Sequence, residues 1–189
     1  MNPKKIALFA SGRGSNAINL INYFKDNSEV EVAFVLCNKS DAPIVHSAQN
    51  LGVQTIICTN NEVADASFLI EICTRNEISL VVLAGFLRKI PDGFVNHFPN
   101  KIVNIHPSLL PKYGGEGMYG NFVHQAVLAN KEQKTGITIH FVNAEYDKGE
   151  IIAQFTCELT ENDNLESVQQ KIHALEMEHF PKVISDLLS

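Results

Sequence analysis

Apolar positions along the chain switch between two spacings. Residues 6–10 form a short apolar run, and 80–84 form another with no polar interruption, as expected of a central parallel strand covered on both faces. Residues 30–37, 53–58, 101–106, 136–142 and 151–159 also read as strands. Between them lie segments with helical spacing. In 17–25, Ile18 and Ile21 share a face, with Leu20 beside Ile21; 44–51 is closed by Gly52; and 64–76 has Leu69, Ile72 and Cys73 at core positions. A helix is expected over 121–129 and a long one over 164–188, kinked or divided by Pro181. Strands separated by helices of this length build βαβ units with right-handed crossovers. The expected fold is therefore α/β, an open doubly wound and mostly parallel sheet with helices on both faces. No repeat, linker or low-complexity tract interrupts the pattern, so residues 1–189 are expected to form a single domain. Ligands of such sheets sit beyond the carboxyl ends of the strands.

Composition narrows the partners. With 45% hydrophobic and 19% charged residues, the chain can bury a core. The net charge is -6 and no basic run exceeds a pair such as Lys4-Lys5, so no nucleic-acid partner is expected. The longest apolar stretch, 80–87, is far short of the roughly 20 residues that span a bilayer. The apolar start is followed at once by Gly12 and Gly14 and reads as a strand, not a signal peptide. A cytoplasmic protein without membrane contact is expected, monomer or homodimer. Cys37, Cys58, Cys73 and Cys157 form no C-x-x-C pair and read as buried, reduced thiols. Glu176-Met177-Glu178-His179 contains E-x-x-H, but carboxylate-bridged metals need a second copy, which is missing. No metal is expected.

The turn Ser11-Gly12-Arg13-Gly14-Ser15-Asn16 joins the first strand to the first helix. Glycines let the backbone approach a ligand, and the unpaired amides of a helix start attract an anion. Gly14, Ser15 and Asn16 are therefore candidates for holding a phosphate. A plain strand–helix turn with an N-cap is the competing reading. A dinucleotide is disfavoured, because the second strand ends at Asn38 where an acidic residue would hold the ribose.

A second polar cluster closes the fifth strand. Asn104 and His106, two residues apart, share a strand face, and Pro107 stops pairing just beyond them. Thr138 and His140 likewise share a face. The segment 114–120 holds four glycines and reads as a mobile flap. Asp147, before Lys148-Gly149, reads as a turn residue when taken alone.

In chain order, Ser11 to Asn16, Leu83-Ala84-Gly85-Phe86-Leu87-Arg88, Asn104-Ile105-His106-Pro107-Ser108-Leu109-Leu110-Pro111, Thr138 to His140, and Asp147 with Gly149 together resemble the folate-dependent formyltransferases. Within them the resemblance is to the phosphoribosylglycinamide formyltransferase family of purine synthesis. It covers nearly the whole chain and implies a formyltransferase-like, Rossmann-type sheet. It also implies an enzyme that moves a formyl group from 10-formyltetrahydrofolate, a co-substrate, to the amine of glycinamide ribonucleotide. By the same resemblance, Asn104 and His106 would stabilise a tetrahedral oxyanion, His106 as imidazolium. Asp147 would raise the His106 pKa and help relay the amine proton. Gly14, Ser15 and Asn16 would hold the substrate phosphate, and Glu176 would meet the ribose-glycinamide part. Folate would lie along Leu87, Arg88, Lys89 and Ile90, with Asn104, His140, Asn143, Ala144, Glu145, Tyr146 and Asp147. Family members often carry an arginine for the folate tail where this chain reads Asn60-Asn61-Glu62-Val63-Ala64-Asp65. The competing functions are a formyl-folate deformylase and a non-catalytic phosphate-binding module. A transferase acting on initiator transfer RNA would need an added basic domain.

Overall fold

The computed structural model describes residues 2–189. Seven strands form one sheet: β1 (Lys4–Phe9), β2 (Val30–Cys37), β3 (Gln54–Ile57), β4 (Ile78–Leu83), β5 (Ile102–His106), β6 (Lys134–Phe141) and β7 (Ile151–Glu158). Among the described residues seven helices accompany them: α1 (Ser15–Phe24), α2 (Pro43–Asn50), α3 (Asn60–Ala64), α4 (Ala66–Arg75), α5 (Asp92–His97), α6 (Asn121–Ala129) and α7 (Leu165–Leu187). The strand order is β3-β2-β1-β4-β5-β6-β7. Pairs from β3 to β5 are parallel, and the β5–β6 and β6–β7 pairs are antiparallel. The expected open, mostly parallel α/β sheet is what forms.

Side chains of alternate parity feed two cores. Ile6, Leu8, Val82, Val103 and Ile105 pack toward α1, α2 and α7. Ala7, Phe9, Val81, Leu83 and Ile102 pack toward α4 and α5. Phe9 anchors the second core, stacking on Phe94 and meeting the edge of Phe86. Burial on both faces explains why β1 and β4 read as continuous apolar runs rather than alternating ones.

Three elements depart from the expected pattern. The helix expected over 64–76 forms as α4, and a short helix that was not expected, α3, precedes it. Thr59 and Glu62 form a reciprocal capping box that starts α3. Asp65 then leaves the helical conformation and caps α4 by accepting from the Ser67 amide at 2.9 Å. The short helix α5 has six residues, too few for a helical period to show. Its two buried side chains are Phe94 and Val95. Finally, α7 runs through Pro181 undivided. Proline has no N–H, so the Met177 carbonyl one turn earlier loses its helical donor. Asn19 of α1 supplies the missing hydrogen bond through Nδ2, at 2.9 Å. The defect in α7 thus becomes a tie to α1.

All four cysteines are free; Cys37, Cys58 and Cys73 are buried, whereas Cys157 on the edge strand is only half-buried. Among the described residues, no helix is long and apolar enough to cross a membrane.

Candidate active site

The ends of β4 and β5 open onto a cavity of about 610 Å³. Its walls come from both faces of the sheet. Asn16 and Glu176 stand on one side and the segment Leu87–Ile90 on another; the turn 143–147 and the loop 115–120 complete it.

Asn104 and His106 do share a face of β5. Pairing with β6 sets Asn104 opposite His140 and His106 opposite Thr138, so four polar side chains project together. Their roles differ. Thr138 is fully buried and structural: its hydroxyl donates to the Ser108 carbonyl at 2.7 Å and accepts from the Leu110 amide at 3.0 Å, pinning the segment after β5. His140 is oriented by its backbone. Its Nδ1 lies 2.8 Å from the Phe141 carbonyl, which can only accept, so Nδ1 carries the proton. Nε2 then accepts from Asn104 Nδ2 at 3.1 Å. This fixes the Asn104 amide and leaves its second N–H uncommitted.

Asp147 reaches this cluster from the turn after β6. Its carboxylate lies 3.5 Å from His106 Nδ1 and 3.6 Å from His140 Nε2, and it accepts from the Gly115 amide at 2.9 Å. Burial alone would push the Asp147 carboxyl up. The His140 ring, the charge on His106 and the Gly115 N–H outweigh burial and hold it below its ordinary value.

For His106 the balance goes the other way. The ring is 4% exposed, and burial lowers its pKa. Asp147 and the Tyr113 carbonyl offset this only in part, and His140 adds to the lowering. Asp147 thus raises the His106 pKa as expected, but burial outweighs it and the net direction is down. A carboxylate neighbour could be anticipated from the motif, but the depth of the ring could not. This lowering favours the neutral imidazole in the free protein.

At the other end of the cavity, α1 begins directly after Gly14, which has φ 71°, and no side chain caps the first turn. The glycine is required twice over. Its backbone is left-handed, and a Cβ would land inside the Ile44 side chain. Gly14→Val is therefore a folding variant rather than a clean probe of anion binding. Ser15 and Asn16 sit in the first turn instead of capping it, which leaves the helix-start amides available to an anion. Asn16 lines the cavity; Gly14 and Ser15 lie just outside its walls.

Glu176 of α7 does line the cavity and accepts from Asn16 Nδ2 at 3.0 Å. Burial pushes its carboxyl up to about 7, against a smaller lowering by Asn16. A carboxyl raised on folding binds more protons folded than unfolded, between the ordinary value of 4.5 and about 7. Its stabilising contribution is thus complete below 4.5 and disappears as pH rises through about 7. Glu176→Gln is expected to stay uncharged throughout. The urea midpoint of the variant should gain on that of the native protein as pH rises from about 5 to about 8. A constant gap between the two would contradict a half-buried, protonated Glu176.

The residues expected to meet folate all line the cavity: Leu87, Arg88, Lys89, Ile90, Asn104, His140, Asn143, Ala144, Glu145, Tyr146 and Asp147. Leu87 and Tyr146 expose apolar surface there, while Ile90 is buried. Ser11, not foreseen, holds this stretch in place. Its hydroxyl accepts from the Leu87 amide at 3.0 Å and donates to Asn38 Oδ1 at 2.7 Å. Asn38, whose identity argues against a dinucleotide, instead donates to Asn60 at 2.9 Å. Tyr113 and His124 are also new. The Tyr113 carbonyl accepts from His106 Nε2 at 2.7 Å, and His124, a buried residue of α6, shares the cavity wall. No sequence period connects either to β5. Among the described residues, no group of three His, Cys, Asp or Glu side chains has an arrangement that could hold a metal ion.

The family pattern described as formyl transferase matches residues 4–184. The phosphoribosylglycinamide formyltransferase of Bacillus subtilis is 36% identical over 98% of this chain and 95% of its own length. The chloroplastic phosphoribosylglycinamide formyltransferase of Arabidopsis thaliana is 38% identical over 89% of this chain but only 60% of its own length. Among solved structures, the phosphoribosylglycinamide formyltransferase of Anaplasma phagocytophilum superposes with a TM-score of 0.90 at 30% identity, covering 99% of this chain and 88% of that one. Glycinamide ribonucleotide transformylase 1 of Geobacillus kaustophilus gives a TM-score of 0.90 at 28% identity and covers 100% of both chains. The chain belongs to the formyl transferase family.

Proposed function

We infer that this chain works as one formyltransferase domain over residues 1–189, moving the formyl group of 10-formyltetrahydrofolate to the primary amine of glycinamide ribonucleotide. The observation that carries the reading is the meeting of Asn104, His106, His140 and Asp147 in one cavity whose opposite wall holds Asn16 and Glu176. Relatives matched across almost the full chain bear the corresponding name.

In the proposed reaction the substrate phosphate rests on the first-turn amides of α1 at Gly14, Ser15 and Asn16, and Glu176 takes the ribose-glycinamide portion. The folate ring system lies along Leu87–Ile90 and the turn 143–147. The amine lone pair attacks the formyl carbon, and the carbonyl electrons move onto oxygen. The free N–H of Asn104 stabilises that oxyanion, a contact stronger in the transition state than in the ground state, and His106 adds to it once a proton taken up at Nδ1 has made the ring an imidazolium. The oxyanion then collapses and the bond from carbon to folate N10 breaks. The ammonium gives up a proton and N10 gains one, through the His106–Asp147 pair and water. The products are the formylated amide and tetrahydrofolate. Neither a metal nor nucleic acid enters this scheme.

The test is turnover of 10-formyl folate by the purified protein with and without glycinamide ribonucleotide. Folate release that requires the amine, with the formyl group recovered on it, is the expected result. Release at the same rate without the amine would mean a deformylase, and no release in either case would leave a phosphate-binding module.

A further inference from the structure

Two residues that bracket His106 adopt backbone conformations that side-chain-bearing residues avoid: Tyr113 has φ 57° and Asp147 has φ 54°. Such residues persist where their surroundings hold them. Around Tyr113 the restraint comes from outside the cavity. Its hydroxyl donates to Glu132 Oε1 at 2.8 Å, and the Lys112 ammonium reaches the same oxygen at 2.8 Å. Ser108 Oγ donates to the Lys112 carbonyl at 2.7 Å. Glu132 follows α6, is not part of the cavity wall, and has its amide bound to the Val127 carbonyl at 3.3 Å.

This anchoring bears on the chemistry of one imidazole. A carbonyl only accepts, so the 2.7 Å contact with Tyr113 requires the proton of neutral His106 to sit on Nε2. The neighbouring carboxylate favours the opposite tautomer, because Asp147 lies 3.5 Å from Nδ1 and would draw a proton there. We propose that Glu132 and Tyr113 are positioning residues that settle this contest. Tied to Glu132, Tyr113 holds its carbonyl against Nε2. The ring keeps its proton on that side and presents the Nδ1 lone pair beside Asp147. A proton entering at Nδ1 during the reaction then gains a carboxylate partner at once. With the other tautomer Nδ1 is already occupied and cannot accept. The kinetic part of this proposal rests on the formyl-transfer reading; the tautomer part does not.

The experiment compares the full-length native protein with Glu132→Ala, Tyr113→Phe and Glu132→Gln. The last retains a neutral oxygen acceptor for the Tyr113 hydroxyl. Ring nitrogen NMR shifts of His106 report the tautomer in the free protein, and kcat and KM are measured on the same samples. Glu132→Ala and Tyr113→Phe are expected to move population from the Nε2–H to the Nδ1–H form. They should lower kcat about tenfold with little change in KM, as small misplacements of a reacting group do. Glu132→Gln should remain near the native values. Unchanged His106 nitrogens in Tyr113→Phe and Glu132→Ala would overturn the proposal whatever the rates, as would a shifted tautomer with unchanged kcat. A native protein with no formyl transfer would instead refute the function, while the nitrogen shifts would still decide the role of Glu132.

Discussion

Asn104→Ala is expected to lower kcat by ~10²–10³ and leave KM nearly unchanged, because an oxyanion donor acts on charge that exists only as the reaction proceeds. The structure makes the role of the amide specific. Asn104 Nδ2 faces His140, whose own tautomer is locked by the Phe141 carbonyl, so the amide cannot turn its oxygen inward without opposing the His140 lone pair. The donor is therefore oriented before substrate arrives. Removing it leaves His140 Nε2 without its donor, and the expected loss of stability is about 1 kcal/mol. Single-turnover rates with urea unfolding separate the two effects. A variant of reduced stability but native turnover would take Asn104 out of the mechanism. Asn104→Asp is an informative companion. It keeps the shape but sets an acceptor where a donor is needed, so it should be at least as slow as the alanine variant.

Much of this arrangement is legible in the sequence. Period two places Asn104 with His106 and Thr138 with His140, and the antiparallel pairing of β5 with β6 turns the two separate pairs into one patch. The central strands β1 and β4 were legible because burial on both faces leaves long apolar runs. What escaped was of three kinds. Short elements escaped because α5, with six residues, contains less than two turns of pattern. Compensation escaped because Pro181 breaks a helical bond that Asn19 of another helix replaces. Partners that no period connects escaped as well: Ser11 holding Leu87, Tyr113 against His106, and Glu132 against Tyr113 follow from no spacing rule. The lowered pKa of His106 belongs with the last kind. Its carboxylate neighbour is visible in the motif, whereas its desolvation is a property of everything packed around it.

Asp147→Asn is expected to reduce turnover at neutral pH on the order of 10²-fold, within the usual range for a lost proton-transfer partner. The substitution suits the local geometry. The amide oxygen can still accept from Gly115, and the new NH₂ can face His140 Nε2, so the turn should fold as before. The negative charge 3.5 Å from His106 Nδ1 is what disappears. In the native protein burial already lowers the His106 pKa, and Asp147 partly restores it. The asparagine variant loses that restoration, so the pKa falls further and a proton arriving at Nδ1 finds no carboxylate. The signs can be followed through pH. If neutral His106 is the proton acceptor, activity is present above its pKa and lost as pH falls through it. The acidic limb of the rate profile should therefore move to lower pH in the variant, while the plateau above it drops. Stability responds separately. A buried histidine of depressed pKa contributes stability above its unfolded value of 6.5, and that contribution is lost as pH falls; it remains in both proteins. The depressed Asp147 carboxyl contributes above its unfolded value of 3.8 and loses this on acidification, a dependence the variant should lack. NMR titration of the His106 ring, rate profiles and acid unfolding on both proteins measure all three. A His106 pKa and a plateau rate that both stay at native values would reduce Asp147 to a turn residue, and proton transfer would have to be sought elsewhere in the cavity.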